Sequence, residues 1–137
     1  MATVAATTTG RVELIDTLEV EQTTLLAAVD ITAPSFVRAN ASGKWEVALA
    51  TSAGAAAGAR FAPRSVKAGM PLTAYRKGKF GGFNVTQAFN APLYLSDTGT
   101  LADAAGTASV QVGRVIPGTA NPVAQAHDKN VEINCPE

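Results

Sequence analysis

The residues of this chain whose types and spacing could do chemistry are Asp97-Thr98-Gly99 and, further on, Val112-Gly113-Arg114-Val115. An Asp-Thr-Gly can supply half of an aspartic-protease dyad, in which two close carboxylates share one proton and activate a water. In a homodimer each subunit gives one such Asp, and an apolar-Gly-Arg run is expected after it. Two features oppose that use of Asp97. A catalytic Asp-Thr-Gly is expected to follow a buried apolar strand, whereas Ser96 precedes it here and Thr100 follows the glycine. The Val112 run begins only 15 residues after Asp97, while a protease fold places most of a domain between the two.

Other reactive sets are thinner. His127 is the single histidine, so a Ser-His-Asp triad would depend on it, in the polar segment AQAHDKNVE. A zinc site would have to combine His127 with Cys135 and carboxylates, without a ligand-pair spacing. GKFGGF, Gly78 to Phe83, is glycine-rich but lacks the Lys-Ser/Thr of a phosphate loop, and reads as a hairpin turn. Asn84-Val85-Thr86 matches a glycosylation acceptor, which has meaning only in a secreted chain. No catalytic, cofactor-binding or metal-binding residue is assigned, and no cofactor is expected.

The elements that would carry these residues show a weak internal echo. APSFVRANASGKWEVALATSAGAAAGARFAP spans residues 33–63, and APLYLSDTGTLADAAGTASVQVGRVIP spans 91–117. Each opens Ala-Pro, continues with an apolar strand, turns on Ser-Gly or Thr-Gly, passes an Ala-rich segment and ends near a Pro. The alignment sets Gly43 against Gly99 and Gly58 against Gly113, with Asp97 near Asn40. Both turns share a short polar side chain followed by a Gly that accepts positive φ. Asn-Ala-Ser-Gly cannot do acid–base chemistry, so a turn accounts for both copies and a dyad for one.

Composition sets the frame. The chain has 137 residues, enough for one domain with a core. Hydrophobic residues are 47%, aromatics only 6%, so the core is expected to be built from small and β-branched groups. Eleven basic and eleven acidic residues balance, which argues against a nucleic-acid surface and leaves little charge repulsion between copies. The single cysteine allows no internal disulfide, in keeping with a reducing cytosol. No run reaches the ~18 apolar residues of a membrane span, and MATVAATTTGR lacks the pattern of a secretory signal.

Along the chain, short apolar runs are separated by ASGK, KAGMP, RKGKFGG, SDTGT and IPGTANP. This punctuation predicts an all-β fold, a small β-barrel or β-sandwich with little helix. In residues 12–28, Val12, Leu14, Leu18 and Val20 alternate with charged residues, which favours strand, although a helix around Thr17 to Ala28 is also compatible. Ala50 to Arg60 reads as a loop or one helical turn. Residues 1–10, almost all Ala and Thr, read either as an extended arm that orders against a partner or as a plain disordered terminus. Residues 11–137 form a single β-rich domain. The arm reading makes Thr3, Val4, Thr7, Thr8, Thr9 and Arg11 candidate partner contacts. Trp45, Phe80 and Phe83 join them as packing or interface residues, core being the blander assignment for Trp45.

From Val66 to Gly118 the sequence resembles bacteriophage head decoration proteins, also called capsid cement or stabilising proteins. Their steps are matched here by Ala68 to Leu72, Gly82-Phe83, Leu93 to Ala104 and Val112 to Val115. The likeness covers about residues 33–118, is carried by turns and small residues, and transfers no catalytic group. It implies a structural virion protein made in the bacterial host cytoplasm. Such a protein sits on the capsid's outer surface, binds the major capsid protein and works as a homotrimer or dimer, with no role for nucleic acid or membrane. Two other readings stand beside it: a homodimeric retropepsin-like protease using Asp97, and a bacterial surface or carbohydrate-binding β-module. The low aromatic content opposes the latter, because sugar sites want exposed stacking rings.

Overall fold

The structure, a computed structural model, describes residues 3–4, 12–117 and 129–136. It is nearly all β: a curled antiparallel sheet in the form of a half-barrel, with one helical turn. The strands are β1 (Glu13–Leu26), β2 (Ser35–Ala39), β3 (Trp45–Val47), β4 (Arg60–Ala62), β5 (Pro71–Gly81), β6 (Pro92–Leu95), β7 (Leu101–Ala102), β8 (Gln111–Ile116) and β9 (Asn130–Asn134). The helix α1 (Ala53–Ala56) is started by Ser52, whose Oγ accepts from the Ala55 N–H, and gives way to Gly58 at φ +72°. The strand preference at residues 12–28 and the single helical turn within 50–60 both hold.

The sheet order is β3-β2-β4-β5-β9-β8-β6-β7, with β1 laid along the other edge of β5. This order reads the same from either end. β2 pairs with β3 and β4, and β6 pairs with β7 and β8, so residues 33–63 and 91–117 build the same three-strand arrangement on opposite wings. Between them β5 is the spine. Its partner on one edge changes from β4, at Tyr75 opposite Phe61, to β9, at Lys77 opposite Asn134. Arg76 stands at that change. Its side chain is only 14% exposed, pairs with Glu21 of β1, and donates from Nη1 to the Cys135 carbonyl at 3.1 Å.

The apolar residues form two clusters, and neighbours along one strand divide between them, Phe36 from Val37 and Phe61 from Ala62. The larger holds Phe36, Phe61, Phe80, Phe83, Leu93, Leu95 and Val131, and the smaller holds Ala27, Ile31, Val37, Trp45, Leu72 and Ala74. Phe61 is the hub of the first, with ring centroids 5.3 Å from Phe36, 4.9 Å from Phe80 and 6.0 Å from Phe83. Tilted and edge-on rings at these distances add attraction beyond burial. The aromatic residues are few, but four of the five phenylalanines are concentrated here.

The glycine-rich GKFGGF is not a hairpin turn. Gly78 to Gly81 lie inside β5, and only Gly82, at φ +93°, turns the chain away. A Cβ at Gly78 would stand 3.0 Å from both Leu14 Cδ1 and the Phe80 ring. Glycine there makes room for neighbours rather than for a bend. Gly58 and Gly113 are not equivalent either. Gly58 closes a turn, whereas Gly113 lies in β8, where a Cβ would meet the Glu132 carbonyl oxygen at 2.3 Å.

Candidate functional site

The Asp-Thr-Gly is the turn between β6 and β7. The Ser96 N–H donates to the Thr100 carbonyl at 2.9 Å, the Gly99 N–H donates to the Ser96 carbonyl at 3.2 Å, and Gly99 takes φ +87°. The turn between β2 and β3 repeats every part. Asn40 N–H donates to the Lys44 carbonyl at 2.8 Å, Gly43 N–H to the Asn40 carbonyl at 3.0 Å, and Gly43 takes φ +75°. This is the three-residue hairpin loop closed by a left-handed glycine. Asn40 Oδ1 accepts from the N–H groups of Ser42 and Lys44, and Ser96 Oγ from those of Thr98 and Thr100. Ser96, and not its neighbour Asp97, is therefore the counterpart of Asn40, in the register that sets Gly43 against Gly99.

Asp97 has a separate task. Its two carboxylate oxygens accept from the Thr107 N–H at 2.8 Å and the Thr107 hydroxyl at 2.7 Å. The hydroxyl first and the amide second hold its pKa below the ordinary carboxylate value, since both bond to the charged form. Gly106 lets the two segments approach this closely, because a Cβ there would lie 2.5 Å from Asp97 Oδ1. The arrangement pins the loop that follows β7 to the hairpin.

The hairpin is also a meeting point of the two wings. Phe36 N–H donates to the Gly99 carbonyl at 2.8 Å, and Ala50 N–H to the Ser96 carbonyl at 3.0 Å. Curling the sheet brings its two ends within hydrogen-bond reach.

The expected partner contacts are redistributed. Trp45 is 2% exposed and donates its indole N–H to the Leu72 carbonyl at 2.8 Å. Phe80 and Phe83 are fully buried. All three belong to the core and present no side-chain surface to another molecule. Val4 is likewise corrected: it is 1% exposed, sits in the larger cluster and donates its N–H to the Leu101 carbonyl at 2.8 Å. Thr3 bridges Ala102, so this piece extends the β7 edge of its own chain, with the Thr3 side chain left exposed. Thr7, Thr8, Thr9 and Arg11 lie outside the described residues, as does His127.

Cys135 is 1% exposed, and burial pushes its thiol up to about 12. Among the described residues, no group of three or more His, Cys, Asp and Glu is placed to hold a metal ion. No helix among them is long and apolar enough to cross a membrane. The grooves differ in lining: those around Arg76 are charged, whereas one beside Val4, Pro34 and Val47 is largely apolar and one beside Leu14, Leu72 and Phe80 is lined mostly by apolar residues. In the one beside Arg76, Arg114 and Glu132, Arg114 is held by Glu132 and Asn90, both at 2.8 Å. No protein-family model, curated protein or solved structure matches this chain.

Proposed function

We propose that the chain is a structural virion protein. It binds the outer surface of an icosahedral phage capsid and stabilises the shell by bridging neighbouring major capsid protein subunits, as a homo-oligomer. The observation that carries the reading is where the four steps of the resemblance fall. Ala68 to Leu72 contains the Gly69 turn, at φ +87°, that launches β5. Gly82-Phe83 ends it. Leu93 to Ala104 is the β6–β7 hairpin, and Val112 to Val115 is the middle of β8. Each step coincides with an element that holds the sheet together, as expected of a likeness rooted in architecture.

The state of Asp97 supports a structural role over the protease alternative. A dyad needs a carboxylate ready to share a proton, and this one is committed to Thr107 and biased toward the charged form.

The test is sedimentation of the purified protein with expanded capsids of the phage that encodes it, followed by heating of the loaded shells. Saturable binding at a fixed stoichiometry to the coat, with a raised shell disruption temperature, is expected. Failure to co-sediment at saturating concentration overturns the proposal. Proteolysis lost in Asp97→Asn would replace it with the protease.

A further inference from the structure

We infer that the outer edge of β1, from Glu21 to Leu26, is a self-association surface that pairs with the same strand of a second copy. Over these residues β1 runs in unbroken register with β5 from Gln22 opposite Tyr75 to Leu26 opposite Pro71. Among the described residues, no strand covers its other edge. A strand edge of this length offers unpaired backbone donors and acceptors, and natural proteins usually blunt such an edge with Lys, Pro or a bulge. This stretch, Glu-Gln-Thr-Thr-Leu-Leu, carries none of the first two. The irregularities of β1 lie N-terminal to Gln22: between Asp16 and Glu21 it takes five steps to two of β5, and one more shift follows Glu21.

Exposure points to the same place. Glu21, Gln22, Thr23 and Thr24 are all exposed, so both faces of the strand are open there. A ribbon open on both faces is weak alone and gains most from another strand. Among the described residues, the exposed large apolar side chains are Ile15, Leu26, Val29, Met70 and Phe89. Leu26 ends this edge. Met70 lies beside it, its carbonyl accepting from Ala27 N–H, and Val29 follows on the chain.

A second copy is the occupant that the charges allow. Two antiparallel strands related by a twofold axis keep each face matched to itself, so residues of equal parity oppose one another. With Thr24 on the axis, Gln22 faces Leu26 and Thr23 faces Leu25. With Thr23 on the axis, Glu21 faces Leu25 and Gln22 faces Thr24. In neither register does Glu21 meet a like charge, and it is already paired with Arg76 of its own chain. The balanced charge of the whole chain adds no long-range repulsion between copies. The contact requires self-association, which the proposed function also expects, but not a capsid, so the two fail separately.

Sedimentation velocity of the isolated protein over a wide concentration range should show a monomer–dimer equilibrium. Thr23→Lys/Thr24→Lys and Thr23→Glu/Thr24→Glu each place like charges on the axis, and each should weaken the dimer at least tenfold. Mixing the two variants should restore it, which a misfolded variant cannot do. Independently, amides of residues 21–26 in the unsubstituted protein should gain hydrogen-exchange protection as concentration rises. A monomer at all concentrations, a trimer, a dimer untouched by both variants, a mixture that fails to restore it, or amides indifferent to concentration each overturns the inference.

Discussion

Asn40 and Ser96 occupy the same position in two copies of one hairpin turn. Each accepts the backbone N–H groups two and four residues ahead, and each precedes by three residues a glycine with positive φ. One copy faces solvent, and the other is folded against the opposite wing of the sheet. The same local solution thus carries different packing loads.

Gly99→Ala should therefore cost far more than Gly43→Ala. Both substitutions force a left-handed backbone on alanine, about 1–2 kcal/mol. At Gly43 a Cβ meets nothing within 4 Å. At Gly99 it would stand 2.6 Å from Val47 Cγ1 and 3.0 Å from the Ala48 carbonyl oxygen. Overpacking of that kind adds roughly 1–3 kcal/mol. Urea midpoints of the two variants should fall in this order, and equal midpoints would remove the hairpin from the inter-wing contact.

Asp97 should leave a mark on acid stability. Its folded pKa is depressed by the Thr107 hydroxyl and amide. Its contribution is then present above the unfolded value near 3.8 and is lost as pH falls through the folded one. Asp97→Asn should fold normally at pH 7 and flatten the part of the stability curve below about pH 4. Thr107→Val should flatten it likewise. An unchanged acid limb in both variants would show that the pair does not form.

Val4→Ala should destabilise the free protein by about 1–2 kcal/mol, because the side chain is lost from the main core. Removing Thr3 and Val4 together should cost more, since the hydrogen bond to Leu101 goes as well. Thermal unfolding checks both. Curves that superpose on the parent would return these residues to the role of an arm.

Much of the architecture is legible in the residues. Spaced turn signals announce strands, and Gly43 and Gly99 sit where positive φ is needed. Trp45 follows its turn into the core. What escapes is long-range placement. Val4 lies in an Ala/Thr run with no periodicity, and only its pairing with β7 buries it. Gly78 and Gly81 read as a bend because a glycine needed for clearance looks the same in sequence as one needed for φ. Asp97 and Ser96 are adjacent short polar residues, so only the register of the hairpin decides which one caps the turn. The partner of Asp97 is ten residues on, beyond any local signal.

The buried thiol of Cys135 has a consequence of a different kind. A thiol held near pKa 12 in a closed site scarcely reacts, whereas one released to water does. It is the chain's single thiol and lies directly after β9, with its carbonyl held by Arg76. Its labelling rate therefore times the opening of that seam where β5 changes partners. The protein carries a built-in clock for its local breathing. That clock can be read in the free chain and in an assembly alike, without adding a probe.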